Sequence, residues 1–280
     1  MQLAEDLQTQ TYRHGNYESF VVHDPKRREI AVAGVRDRVV HRLLYDYLVP
    51  IWDKSFCYDA WSCRKDKGLL GAIERAQTNT YKYRNGWLWR SDITKFFDNV
   101  DHRLLRRLLR TKLHSPQVLW LLDKTIASYD VQASKEGMPI GNLTSQIFAN
   151  IYLNEFDQFA LHSLKPSVYV RYGDDFVLWY PTEAAAREAQ IIGRQFLADE
   201  LKLAINPKHD RVQPANKKLA YLGVDLWPGG RRLQARTVRR VNQKLTIDNI
   251  PSYQSLIKQH LPERYAKDFV WKIVDIIDQE

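Results

Sequence analysis

The feature that most constrains this chain is Tyr172-Gly173-Asp174-Asp175, set between the apolar runs Val168–Tyr172 and Phe176–Tyr180. Two β-prone runs around a short polar Gly-Asp segment predict a β-hairpin with a tight turn. Adjacent carboxylates at a hairpin tip raise each other's pKa. A divalent cation would relieve this, and Mg²⁺ prefers one or two carboxylates together with substrate phosphates. Asp and Gly are also favoured turn residues, so the hairpin alone reads equally as a polar turn or a metal site.

A second carboxylate bears on the choice. Trp87-Leu88-Trp89-Arg90-Ser91-Asp92-Ile93 reads as a short strand with Asp92 at its end. A strand end beside the hairpin would bring Asp92 next to Asp174. Three carboxylates from two strand segments can hold two cations about 4 Å apart, the geometry of in-line phosphoryl transfer. Asp98 and Asp101 compete for this role, but both precede a helix with the stripe Leu104, Leu105, Leu108, Leu109 and read as its caps.

Elsewhere, Lys26–Gly34 ends as a strand running into a turn. Val39, Val40, Leu43, Leu44, Tyr47, Leu48 and Ile51 predict one helical face, ended or bent at Pro50. Further helices are expected over Leu69–Gln77, Val118–Ile126, Glu183–Leu201 and around Ile147–Phe156, with a loop at Gly137–Asn142 and a strand over Lys218–Trp227. The first twenty residues are mostly polar and read as peripheral. After Gly229-Gly230 the chain reads as helical through Val238, Val241, Leu245, Tyr253, Leu256, Ile257, Phe269, Val270, Ile273 and Ile277. Strands and helices mix without a regular βαβ alternation, so the fold class is α+β. The expected division is 1–229 and a helical region at 230–280.

Composition excludes several classes. With 280 residues, 44% hydrophobic and 27% charged, the chain is globular rather than disordered or low-complexity. Cys57 and Cys63 match no common zinc spacing and form no disulfide framework. No run approaches a membrane span, and the polar, acidic Met1–Gln10 is unlike a signal peptide, so the expected compartment is cytoplasmic. The net charge is +9 from 42 basic and 33 acidic residues. It is concentrated in residues 206–240, where nine Lys or Arg face only Asp210 and Asp225. A surface that tracks phosphates has this character, as does a merely solvated one.

The motifs together resemble a known family. Ser91-Asp92-Ile93-Thr94-Lys95-Phe96-Phe97-Asp98-Asn99-Val100 resembles the first palm motif of reverse transcriptases, and Tyr172-Gly173-Asp174-Asp175 is similar to their YxDD box. Gly137-Met138-Pro139-Ile140-Gly141-Asn142-Leu143-Thr144-Ser145-Gln146 resembles the intervening motif. Order and spacing agree, from Arg28–Val40 through Ala220-Tyr221-Leu222-Gly223, a primer-grip-like stretch. The resemblance implies a right-hand polymerase: fingers and palm over 1–229, with an antiparallel palm sheet carrying the YxDD hairpin, and a small helical thumb over 230–280.

The resemblance also implies roles. Asp92, Asp174 and Asp175 match the ligands of two Mg²⁺ ions, with Mn²⁺ as a substitute. Phe97 matches the steric gate that disfavours a ribose 2′-hydroxyl. Arg28, and with them Arg64 and Lys65, match residues that bind the triphosphate of a dNTP; for Arg64 and Lys65 a solvated surface role competes. Lys208 matches a lysine that could protonate pyrophosphate, or simply contact phosphate. In the middle motif Ile140, Gly141 and Gln146 give IGxxxSQ where most reverse transcriptases carry QGxxxSP. This looks like the reverse transcriptases of diversity-generating retroelements, which copy a template-repeat RNA with frequent errors at adenines. Replacing the Gln amide by an apolar Ile140 side chain would constrain the base pair less. The implied partners are a template RNA, a primer duplex and a small helical accessory protein, an oligomer, with no membrane. A retron, phage-defence or group II intron-like enzyme is the alternative, although no stretch resembles a maturase, endonuclease or RNase H domain. A silent RNA-binding scaffold is a third reading; its expected mark, loss of Asp92 or Asp174, is not seen.

Overall fold

The computed structural model describes residues 2–23, 27–129, 135–250, 260, 269–271, 273 and 274. A short helix α1 (Gln2–Gln8) leads into the hairpin β1 (Tyr17–His23) and β2 (Arg27–Ala33), then the long helix α2 (Val35–Trp52). Next come α3 (Leu69–Lys82), β3 (Trp87–Asp92), α4 (His102–Arg110), α5 (Pro116–Ala127) and α6 (Leu143–Phe159). The hairpin β4 (Val168–Tyr172) and β5 (Asp175–Tyr180) follows, then α7 (Glu183–Asp199) and β6 (Arg211–Pro214). Three short strands, β7 (Leu219–Tyr221), β8 (Val224–Trp227) and β9 (Gly230–Leu233), precede α8 (Ala235–Lys244).

The central sheet has the order β4-β5-β3-β6, every pair antiparallel. Side chains alternate between its faces, and both faces are covered. Trp89, Phe176, Leu178 and Tyr169 point into a core with α6 and α7. Trp89 lies so close to α7 that a Cβ on Gly193 would meet its ring at 2.5 Å, so only glycine fits there. Leu88, Val170, Val177 and Trp179 point into a second core with α3 and the β7-β8-β9 sheet. A sheet buried on both faces explains why its strands read as nearly continuous apolar runs.

Several expectations are corrected. The segment read as one strand, Lys218–Trp227, is a hairpin, because Leu222 and Gly223 have φ of 49° and 82° and reverse the chain. The Gly229-Gly230 division falls inside the next hairpin: Trp227 pairs with Gly230, β9 adds to the sheet, and helix begins only at Ala235. The predicted stripe of α2 is wider than what it buries. Val40, Leu44, Leu48 and Trp52 are inside, whereas Val39, Leu43 and Tyr47 are 54%, 52% and 44% exposed. Pro50 lies within α2, which ends at Trp52. Asp101 caps α4 through Leu104 N at 2.8 Å, whereas Asp98 sits a turn earlier, inside a 3₁₀ turn over Phe96–Asn99, and is not the cap of α4. The first twenty residues are not all peripheral: Tyr12 is fully buried and donates to Asp37 Oδ1 at 2.7 Å. Tyr253, Leu256, Ile257 and Ile277 lie outside the described residues; Phe269 is buried.

Candidate active site

β3 and β5 are in register from Trp87 opposite Tyr180 to Asp92 opposite Asp175. Residues directly opposite in an antiparallel pair share a face. Leu88, Arg90 and Asp92 of β3 therefore line up with Val177 and Asp175 of β5. This column is apolar at its base, where Leu88, Val170 and Val177 are fully buried, and charged at its rim.

Tyr172 pairs with Asp175, which leaves Gly173 and Asp174 as a two-residue turn. Gly173 has φ of +62°, a conformation that suits a tight hairpin and that glycine adopts without steric cost. The turn is braced from inside the protein. Arg171 forks onto Asp157 of α6 at 2.7 and 2.6 Å and donates to Gly173 O at 3.0 Å. Tyr169 donates to the same Asp157 carboxylate at 2.6 Å. Asn150 of α6 accepts from Arg171 at 3.3 Å and donates to Ser62 O at 2.9 Å, tying in the segment before α3.

The three carboxylates have different surroundings. Asp92 Oδ1 is buried with no hydrogen-bond partner. Asp174 sits half-buried in the turn. Asp175 directs both oxygens to Arg90, at 3.2 Å from Nε and 2.7 Å from Nη2. Burial pushes its carboxyl up to about 7; Arg90 works against this shift, while Asp174 and Asp92 add to it. Among the described residues no three His, Cys, Asp or Glu form a ready-made cation cage. An unpartnered carboxylate oxygen on Asp92 beside further carboxylates is nevertheless a donor set of the kind hard divalent cations take, so the residues fit that group.

This rim opens on a cleft of about 1690 Å³. Arg28 of β2 stands on its wall together with Lys208, Arg211, Lys218, Arg236 and Arg239. Leu222 and Gly223 of the β7–β8 turn also line it, while Tyr221 beside them is fully buried. The structure thus brings Asp92, Asp174, Asp175, Arg28 and Lys208 around one space.

Other expected site residues lie elsewhere. Arg64 is a structural clamp: Nε bonds Asp53 Oδ1 at 2.7 Å, Nη1 bonds Cys57 O and Ala60 O at 2.7 and 3.1 Å, and Nη2 bonds Asp53 O at 3.3 Å. Four of its five N–H groups are so used, which commits it to holding the Asp53–Ala60 segment. Lys65 is exposed beside it and does not line the cleft. Phe97 is half-buried and packs edge-on to the buried Phe96, centroids 5.4 Å apart. Ile140 and Gly141 form a strap on β2: Ala31 N donates to Ile140 O at 3.1 Å, and Asn142 Nδ2 donates to Ala31 O at 2.7 Å. A Cβ on Gly141 (φ +116°) would meet Ile30 Cγ2 at 2.9 Å. Gln146 is half-buried on α6. Phe97, Ile140, Gly141 and Gln146 are absent from the cleft lining.

Sequence reasoning missed Arg90 and Arg171. The signal was present: each is a charge inside an apolar strand, and such a charge requires a buried partner.

A carboxylate rim on an antiparallel sheet thus lies at the floor of a basic cleft. Residues 23–226 match the family described as "Reverse transcriptase (RNA-dependent DNA polymerase)", and the chain belongs to that family. It is similar to Protein YkfC of Escherichia coli K12, 29% identical over 239 residues, covering 71% of this chain and 62% of that protein. It is also similar to the group II intron-encoded protein LtrA of Lactococcus lactis, 25% identical over 141 residues, covering 49% of this chain and 23% of that one. Its fold is similar to telomerase from Candida albicans solved with a fragment of telomeric RNA: TM-score 0.58, 13% identity, 89% of this chain and 51% of that one. The chain spans at most 62% of the curated relatives it matches. No helix among the described residues is long and apolar enough to cross a membrane.

Proposed function

We propose that this chain is an RNA-directed DNA polymerase that adds dNTPs to a primer 3′-hydroxyl. The observation that carries the reading is Asp92 opposite Asp175, with Asp174 in the adjoining turn, at the floor of a cleft walled by Arg28, Lys208 and the basic 211–240 segment. The central sheet then serves as palm, β1–β2 as fingers, and the segment from α8 onward as thumb. Divalent cations, Mg²⁺ or Mn²⁺, would supply polarisation of the attacking hydroxyl and of the phosphoryl oxygens when bound. Asp92 and Asp174 would hold them. Arg28 would grip the triphosphate through its paired N–H donors. Lys208, in the exposed turn at the cleft wall, would give a proton to the departing pyrophosphate. The basic wall would hold the template–primer duplex by its backbone. Phe97, five positions after Asp92, remains our candidate for the sugar gate.

Within the family we infer a diversity-generating role, supported by Ile140 through Gln146 reading IGxxxSQ. Such an enzyme would copy a template-repeat RNA, alongside a small helical accessory oligomer. The likeness to LtrA favours a second reading, a group II intron-type polymerase. Mg²⁺-dependent primer extension on an RNA template, with sequenced products, tests both. Substitutions opposite template adenines, reduced in Ile140→Gln, support the first; faithful DNA supports the second. Absence of product with candidate RNA and accessory protein present overturns the polymerase reading.

A further inference from the structure

Arg90 is a guanidinium placed inside a rim of carboxylates, with only 14% of its side chain exposed. It stands two residues before Asp92 on β3 and reaches diagonally to Asp175 on β5. The fork takes both Asp175 oxygens, at 3.2 and 2.7 Å. Its third contact is His209 Nδ1, 3.3 Å from Nη1. Arg90 therefore ties together β3, the start of β5 and the turn that carries Lys208.

The consequence concerns how the carboxylates divide their work. A cation on Asp175 would sit against the guanidinium, like charge beside like charge. Asp92 Oδ1 takes no hydrogen bond from Arg90 and is buried without a hydrogen-bond partner, so the guanidinium reaches it only through its field. We propose that Arg90 is a positioning residue that commits Asp175 to a counter-ion within the protein and leaves Asp92 and Asp174 as the pair that holds the divalent cation. This rests on the polymerase reading above. Arg90 thereby limits the negative charge of the rim and fixes the start of β5, from which the Asp174 turn projects.

The test is Mn²⁺ binding to the full chain without nucleic acid, read from the electron paramagnetic resonance signal of free Mn²⁺. Asp92→Asn and Asp174→Asn should each weaken binding by about tenfold or more, the size of losing one charge partner. Asp175→Asn should also weaken it by about tenfold, because it leaves the Arg90 charge uncompensated beside the site, whereas Arg90→Lys should stay within about threefold of the parent by keeping the charge. Arg90→Met frees a carboxylate and removes a cation, so binding should tighten by about tenfold. Arg90→Met/Asp175→Asn should return to the parent value; with Arg90→Lys it carries the test if the single Met variant does not fold. If Arg90→Met/Asp175→Asn binds about tenfold or more weakly than the parent, Asp175 is a ligand and the proposal falls while the site stands. Arg90→Met binding like the parent overturns it equally. If Asp92→Asn and Asp174→Asn both bind Mn²⁺ like the parent, the cation site itself is wrong, and the proposal falls with it.

Discussion

Arg171 and Asp157 form a fully enclosed ion pair, with side chains 1% and 0% exposed and N–O distances of 2.7 and 2.6 Å, directly behind the Gly173-Asp174 turn. Removing one partner leaves a buried charge without compensation, which costs about 3–5 kcal/mol. Arg171→Met and Asp157→Asn are each expected to lose stability of that order in urea unfolding. The double variant Arg171→Met/Asp157→Leu should recover much of it, because it buries no charge. Its polymerase activity should still be reduced, since Gly173 O loses its brace.

Asp174→Asn keeps the size and turn propensity of the side chain but removes its charge. Loss of one cation ligand at a phosphoryl-transfer site is worth several kcal/mol, or at least about 10³-fold in rate. Primer extension should fall by that factor. Binding of an RNA–DNA duplex, measured by fluorescence anisotropy, should change by less than about threefold, because the basic wall makes those contacts.

Arg64 separates a structural role from a substrate role. Arg64→Lys keeps a positive charge but loses the planar fork that spans Asp53, Cys57 O and Ala60 O. Unfolding should show a loss of about 1–3 kcal/mol. The KM for dNTP should not move. A raised KM with unchanged stability would return Arg64 to the triphosphate site.

His41 makes stability depend on pH. Its ring lies between His14 Nε2 at 3.0 Å and Thr144 Oγ1 at 2.6 Å. Burial, with His14 adding to it, pushes its pKa down to about 4, while Asp37 works the other way. Between an ordinary value near 6.5 and 4, the unfolded chain takes up a proton that the folded chain refuses. The contribution is therefore complete above about pH 6.5 and shrinks as pH falls, by roughly 3 kcal/mol at pH 4. His41→Gln should flatten the slope in urea unfolding between pH 7.5 and 5. Comparison with the parent isolates His41 from His260, also pushed down to about 4 and sloping the same way, and from Asp175, which slopes oppositely.

The sequence made some features legible because they are local. The hairpin was readable from two apolar runs and a Gly-Asp turn, and the buried stripe of α4 from Leu104, Leu105, Leu108 and Leu109, all of which are inside. On α2 the same kind of reading overreached. Periodicity marks which residues are apolar, not how wide a contact the neighbours offer. Asp37 and His41 turn inward because Tyr12 and Thr144 are there to bond them, and Val39 and Leu43 are carried outward as a result. Arg64 could not be placed for a similar reason: a guanidinium looks the same in sequence whether it awaits a phosphate or clamps three carbonyls.

By itself the sequence determined the strand and hairpin that carry Asp92, Asp174 and Asp175, the basic segment at 206–240 and membership of a polymerase-like class, since each depends on residue type and short-range order. Tertiary structure alone decided that Asp92 stands opposite Asp175, that Asp175 is already held by Arg90, and that Arg171 supports the turn from a fully buried pair. These are pairings between residues 14 to 85 positions apart. Which groups meet at such separations is set by register and by the packing of both sheet faces, and no local propensity encodes either.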